Sequence, residues 1–178
     1  MAFLFLRRWF GPNEPSPVAV ISKEPELSDA EGNFRKGLKL ASGQGEEQDY
    51  EQAARCYALS AEQNHALAQF NLAVMYGQGQ GVARDEAKSL MWMTRAAELG
   101  DAGAQYQLGV RRHATNRTGR EATVSEQRIE AFKWTRLSAD QGYRGAECGC
   151  EFMTLDMTRD EVGEATRRAA SFVSRKAA

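Results

Sequence analysis

The apolar positions of this chain repeat on two scales. Locally, Phe34 and Leu38, Phe70 and Val74, and Tyr106 and Val110 stand four residues apart, the spacing of one helical face. Val162, Ala165, Ala169 and Val173 recur three and four residues apart, on one helical face, near the C-terminus, with Glu164, Arg167 and Arg168 largely elsewhere. Over a longer range the chain matches itself at an offset of 36: Phe34 falls on Phe70 and Tyr106, Asp49 on Asp85, Ala61 on Ala97, and Leu72 on Leu108. Gly43 and Gly45 fall on Gly79 and Gly81. After an insertion of six residues the offset becomes 42, and Trp92 meets Trp134, Ala97 meets Ala139, Gly100 meets Gly142 and Ala104 meets Ala146.

Each unit predicts two helices. In the second unit the first spans Ala66 to Tyr76, and Gly77, Gly79 and Gly81 supply a turn with positive φ. The second helix runs from Asp85 to Leu99 and ends on Gly100 in the left-handed conformation. Asp49 and Asp85 are placed to cap the second helices. Capping boxes are expected at both ends of the array, Ser28 with Glu31 and Thr158 with Glu161, the latter opening a terminal helix with a polar outer side. The units fall near residues 30–65, 66–101, 102–143 and 144–178, a repeat domain over 28–178. Residues 1–27 form an apolar start and an extended linker that carries all four prolines.

Composition narrows the function. Twenty-three basic residues against 24 acidic ones leave a net charge of −1, which argues against nucleic acid as partner. The three cysteines, Cys56, Cys148 and Cys150, form no CxxC pair, and a reducing, cytoplasmic setting fits them. The apolar run Ala2 to Leu6 is far shorter than the roughly 20 residues of a membrane helix. Arg7 and Arg8 follow that run instead of preceding it, unlike a secretory signal, so an unsecreted protein is expected.

The second unit, ALAQFNLAVMYGQGQGVARDEAKSLMWMTRAAELGD, closely resembles the Sel-1-like repeat, through Ala68, Leu72, Tyr76, Gly79, Gly81, Val82, Asp85, Trp92, Ala96, Ala97 and Gly100. Ala73 stands where that pattern usually has glycine. The third unit keeps Ala104, Leu108, Gly109, Trp134, Ala139 and Gly142 without the G-x-G-V turn, the first matches mainly in its second half, and the fourth keeps Ala146 and Gly149. The resemblance implies an all-α fold, an α-solenoid of antiparallel helix pairs in a tetratricopeptide or Sel-1-like superhelix. It would hold about three and a half repeats plus a C-terminal capping helix. It also implies an adaptor or scaffold of the bacterial type. The cysteine pair that secreted relatives carry in each repeat is missing here.

The expected partner is a protein segment, a peptide or helix, held on the inner surface lined by the first helices. Its candidate contacts are Phe34, Leu38, Phe70, Val74, Tyr106 and Val110, although the three aromatics also suit packing between repeats. The stretch Arg111 to Arg128 reads as a surface loop with five arginines, of which Arg112, Arg117 and Arg120 are candidates for gripping an acidic partner. Phe3, Leu4, Phe5, Leu6, Trp9 and Phe10 suit three roles: peripheral membrane contact by residues 2–10, docking on a partner or the chain's own groove, and a disordered start. A membrane-associated assembly or an immunity-type protein is the alternative function, and a hydrolase a weaker one. No catalytic, metal or cofactor residue is expected. His65 and His113 lie in different units without ligand spacing, and no serine-elbow or phosphate-loop signature occurs.

Overall fold

The computed structural model describes residues 29–43, 47–115 and 121–174, and among these it contains eight helices and no strand. They are α1 (Ala30–Ser42), α2 (Tyr50–Glu62), α3 (Ala66–Gln78), α4 (Glu86–Glu98), α5 (Ala102–Thr115), α6 (Glu121–Asp140), α7 (Ala146–Thr154) and α8 (Arg159–Ala170). The pairs α1–α2, α3–α4 and α5–α6 are antiparallel hairpins, each packed on the next. This is the expected α-solenoid.

Side chains just outside the helices set where they begin. The Asp49 and Asp85 carboxylates accept the backbone N–H of Gln52 and Lys88, each at 2.9 Å. Both hairpins close with the same backbone bond, Asp49 N–H to the Leu40 carbonyl and Asp85 N–H to the Tyr76 carbonyl. The expected Thr158–Glu161 capping box opens α8. The Ser28–Glu31 box needs correction. Ser28 lies outside the described residues, and Asp29 caps α1 by accepting from Gly32 N–H at 2.7 Å. Glu31 instead reaches Arg35 and His65.

The turn glycines divide by role. Gly77 lies inside α3, which runs two residues beyond the expected end, whereas Gly79 and Gly81 take φ of +72° and +66°. A Cβ on Gly81 would sit 2.1 Å from the Tyr50 carbonyl oxygen, so this turn is pressed against the start of α2. Gly37 and Gly109 serve helix contact: a Cβ on Gly109 would meet Thr135 Oγ1 at 2.2 Å, and one on Gly37 the Tyr57 ring at 2.7 Å. Ala73, at the same register position, fits with no exposed surface.

The core follows the repeat. Trp92 is completely buried, worth about 4–6 kcal/mol of apolar burial at about 25 cal/mol per Å². Cys56 and Trp134 occupy its position in the neighbouring units and are also buried. Gln69 and Gln105, each 1% exposed, donate to the carbonyls of Ala61 and Ala97 at 3.0 and 3.1 Å. Each thereby ties a first helix to the end of the preceding unit.

The C-terminal end departs from the hairpin plan. α7 packs on α6, and α8 also packs on α6 rather than pairing with α7. A second apolar cluster of Ile129, Ala131, Phe132, Met153 and Ala165 joins the three helices. Ala165 and Ala169 are buried on the expected face of α8, but Val173 points to solvent beyond the helix end. Phe172 takes its place, edge-on to Trp134 at 5.4 Å.

Candidate functional site

The first helices α1, α3, α5 and α7 lie side by side, joined by one aromatic contact per unit. Phe34 stacks on the His65 ring at 4.5 Å, where α3 begins. The edge of Phe70 lies 3.4 Å from where a Cβ on Gly103 of α5 would stand. Tyr106 meets Tyr143 at 5.4 Å and lies against Gly149 of α7. Phe34 is buried, and Phe70 and Tyr106 are half-buried. These aromatics therefore contribute to contact between units, each leaning on the start of the next first helix.

One helical turn further on, the side chains reach solvent. Leu38 is 42% exposed, Val74 half-buried and Val110 37% exposed. Sequence reasoning missed the fourth member. Phe152 stands 42 residues after Val110, the offset that relates Trp92 to Trp134, and it is 62% exposed on α7. Its ring meets His113 of α5 at 5.7 Å, which places it beside Val110. The result is an apolar ridge of Leu38, Val74, Val110 and Phe152 that crosses four consecutive first helices. The exposed leucines of the second helices do not repeat: counterparts of Leu90 are Ala54 and Phe132, both buried, and Leu59 corresponds to Arg95.

His65 stands at the N-terminus of α3. Its Nδ1 accepts the Ala68 N–H at 3.2 Å, capping α3, and its Nε2 lies 3.1 Å from Glu31. That contact, followed by Arg35, holds the Glu31 carboxyl below the usual carboxylate range. Asp101 caps α5 in the equivalent place, accepting from Ala104 N–H at 2.7 Å, and its burial pushes its carboxyl upward. His65 and Asp101 stand 36 residues apart, one repeat, and both accept an amide.

The arginine-rich stretch is mainly helix, which corrects its reading as a loop. Arg111 and Arg112 belong to α5 and Arg128 to α6; Arg117 and Arg120 lie outside the described residues. The insertion lengthens α6 to 20 residues against 13 in α4. The added turns hold α8: Arg168 pairs with Glu126 and Glu130, and Arg128 lies 3.9 Å from Glu161. Arg111 reaches back to Glu86 at 2.8 Å. Arg112 is half-buried, with an Nε that finds no hydrogen-bond partner among the described residues.

No group of three or more His, Cys, Asp or Glu side chains suited to a metal occurs among the described residues. Cys148 is exposed, Cys150 is half-buried with its thiol pushed up to about 11 by burial, and the buried Cys56 is also raised. No described helix is long and apolar enough to cross a membrane.

Three consecutive matches to the Sel1 repeat model cover residues 32–65, 66–101 and 102–143, well over half the chain. The chain belongs to the Sel1 repeat family. Its fold resembles a Sel1 repeat protein from Oxalobacter formigenes, at 27% identity and a TM-score of 0.65, covering 82% of this chain and 58% of that one. It also resembles a protective antigen of uropathogenic Escherichia coli strains that displays an SLR fold, at 24% identity and a TM-score of 0.63. That match covers 80% of this chain and 31% of the antigen, so the chain spans well under two thirds of either structure. No curated protein matches the sequence. Sel1 repeat proteins are generally protein-interaction scaffolds and are typically not enzymes.

Proposed function

We propose that this Sel1 repeat chain is an adaptor that holds a peptide or a helix of a partner protein along its first helices. The observation that carries the reading is the ridge: an apolar side chain at one register position in four consecutive first helices, reaching solvent in three of them. A packed array has no need of exposed side chains that repeat, and a line of apolar anchors is what a bound helix or strand requires. Phe34, Phe70 and Tyr106 form the floor beside that line and fix the spacing of its members. Arg112, with Arg117 and Arg120 in the segment that follows, favours a partner acidic at one end. The free cysteines suit a reducing compartment, in keeping with a cytoplasmic adaptor.

The test compares partner capture by the wild type and by Leu38→Asp, Val110→Asp and Phe152→Asp. Leu90→Asp on α4 serves as control. All four sites are exposed, so the fold tolerates the charge. Loss of the captured protein with the three ridge variants and retention with Leu90→Asp supports the reading. Equal capture by all four refutes it.

A further inference from the structure

We propose that the chain's own N-terminal segment, Phe3 to Phe10, occupies this ridge in the absence of a partner. The inference rests on the reading of the ridge as an apolar interaction surface and names its resident occupant. Six of those eight residues are large and apolar, Phe3, Leu4, Phe5, Leu6, Trp9 and Phe10, interrupted only by Arg7 and Arg8. Exposed clusters of this kind in a folded chain call for a cover. The ridge is the repeating apolar surface on the first-helix side of the described residues.

The dimensions agree. Successive first helices touch through single side chains and stand one helix diameter, about 10–12 Å, apart. The three steps from Leu38 on α1 to Phe152 on α7 therefore span about 30–36 Å, most of which an eight-residue strand can cover. Eight residues in extended form cover about 26 Å. The 18 residues from Gly11 to Ser28 join the segment to Asp29 at the head of α1 and can reach about 60 Å, enough to place it anywhere along the ridge.

Charge sets the direction. Lys39 follows Leu38 and is exposed, so the α1 end of the ridge repels a basic segment. Glu151 precedes Phe152, is exposed, and takes part in none of the ion pairs found among the described residues. Arg7 and Arg8 therefore seat toward Glu151 of α7 and away from Arg112 of α5, which brings Trp9 and Phe10 against Phe152. A partner then displaces the segment, and the segment sets a threshold that weak partners do not pass.

Trp9 reports the state directly. Trp92 is fully buried and Trp134 nearly so, so the difference between the wild type and Trp9→Phe isolates the emission of Trp9 against a quiet background. In the full chain this difference spectrum is expected to be blue-shifted and protected from acrylamide. Phe152→Asp and Phe5→Ser, neither of which touches the buried core, are each expected to shift it to the red and expose it to quencher. A Trp9 already water-exposed in the wild type overturns the proposal, even in a chain that still captures a partner through the ridge. Protection that appears only as protein concentration rises assigns the occupant to a second copy and overturns it too. A Trp9 exposed in buffer and protected only by phosphatidylglycerol vesicles overturns it in favour of membrane contact.

Discussion

The buried glutamines offer a prediction in which two chemically identical substitutions differ. Gln69 and Gln105 occupy the same position in consecutive units, and each donates through Nε2 to the carbonyl at the end of the preceding second helix. Only Gln105 is fully used: Gln141 Nε2 donates to its Oε1 at 2.8 Å. The counterpart of Gln141 in the second unit is Leu99, and Gln69 Oε1 is buried without a hydrogen-bond partner among the described residues. Leucine nearly matches glutamine in volume, so substitution tests the polar contacts with little change in packing. Gln105→Leu removes two hydrogen bonds of about 0.5–1.5 kcal/mol each, a loss of about 1–3 kcal/mol. Gln69→Leu removes one bond together with an unsatisfied oxygen, so it costs about 0–1 kcal/mol. Thermal unfolding resolves the two, since about 1 kcal/mol moves the midpoint by about 2–4 °C in a chain of this size. A Gln69→Leu loss equal to or larger than that of Gln105→Leu refutes the reasoning.

Three further outcomes are expected. Gly81→Ala meets both a left-handed φ and the Tyr50 carbonyl, whereas Gly142→Ala meets only a φ of +73° in open space; urea unfolding should show a loss above about 2 kcal/mol for the first and about 1 kcal/mol for the second. Backbone amides hold Asp49 and Asp85, and Arg168 holds Glu126, below their usual pKa values. Their stabilisation is therefore present above the unfolded values of about 4 and is lost as pH falls through the depressed folded ones, so the urea midpoint should fall as pH drops below about 4. Asp101, raised by burial, has the opposite sign: Asp101→Asn keeps the cap, removes a buried charge, and should gain stability at pH 7 that fades toward pH 4. In thiol titration at pH 8, Cys148 should react first and alone, with Cys56 and Cys150 following only on unfolding; fast labelling of all three contradicts the burial described.

The array was legible in the sequence because a repeat states its own register. The offset of 36 located the capping aspartates, and the offset of 42 the buried Trp92 and the glycine that ends the second helix. What it hid was where a position changes residue type while keeping its role. His65 and Asp101 look unrelated, yet both accept an amide at the start of a first helix. Phe152 fell in a unit with few family matches, although the offset of 42 pointed to it. The arginine-rich insertion looked like a loop because its charges were read one by one, while Glu126, Arg128 and Glu130 are spaced along one helix that receives α8. The departure of α8 from α7 was not legible, since it follows from tertiary contacts with that lengthened helix.

The central claim is that recognition takes place on the first helices. Amide hydrogen exchange of the full chain, with and without its captured partner, tests it most directly. New protection confined to α1, α3, α5 and α7, greatest around Val110 and Phe152, is the expected result. Protection confined to α2, α4 and α6, with the first helices exchanging as before, would contradict it.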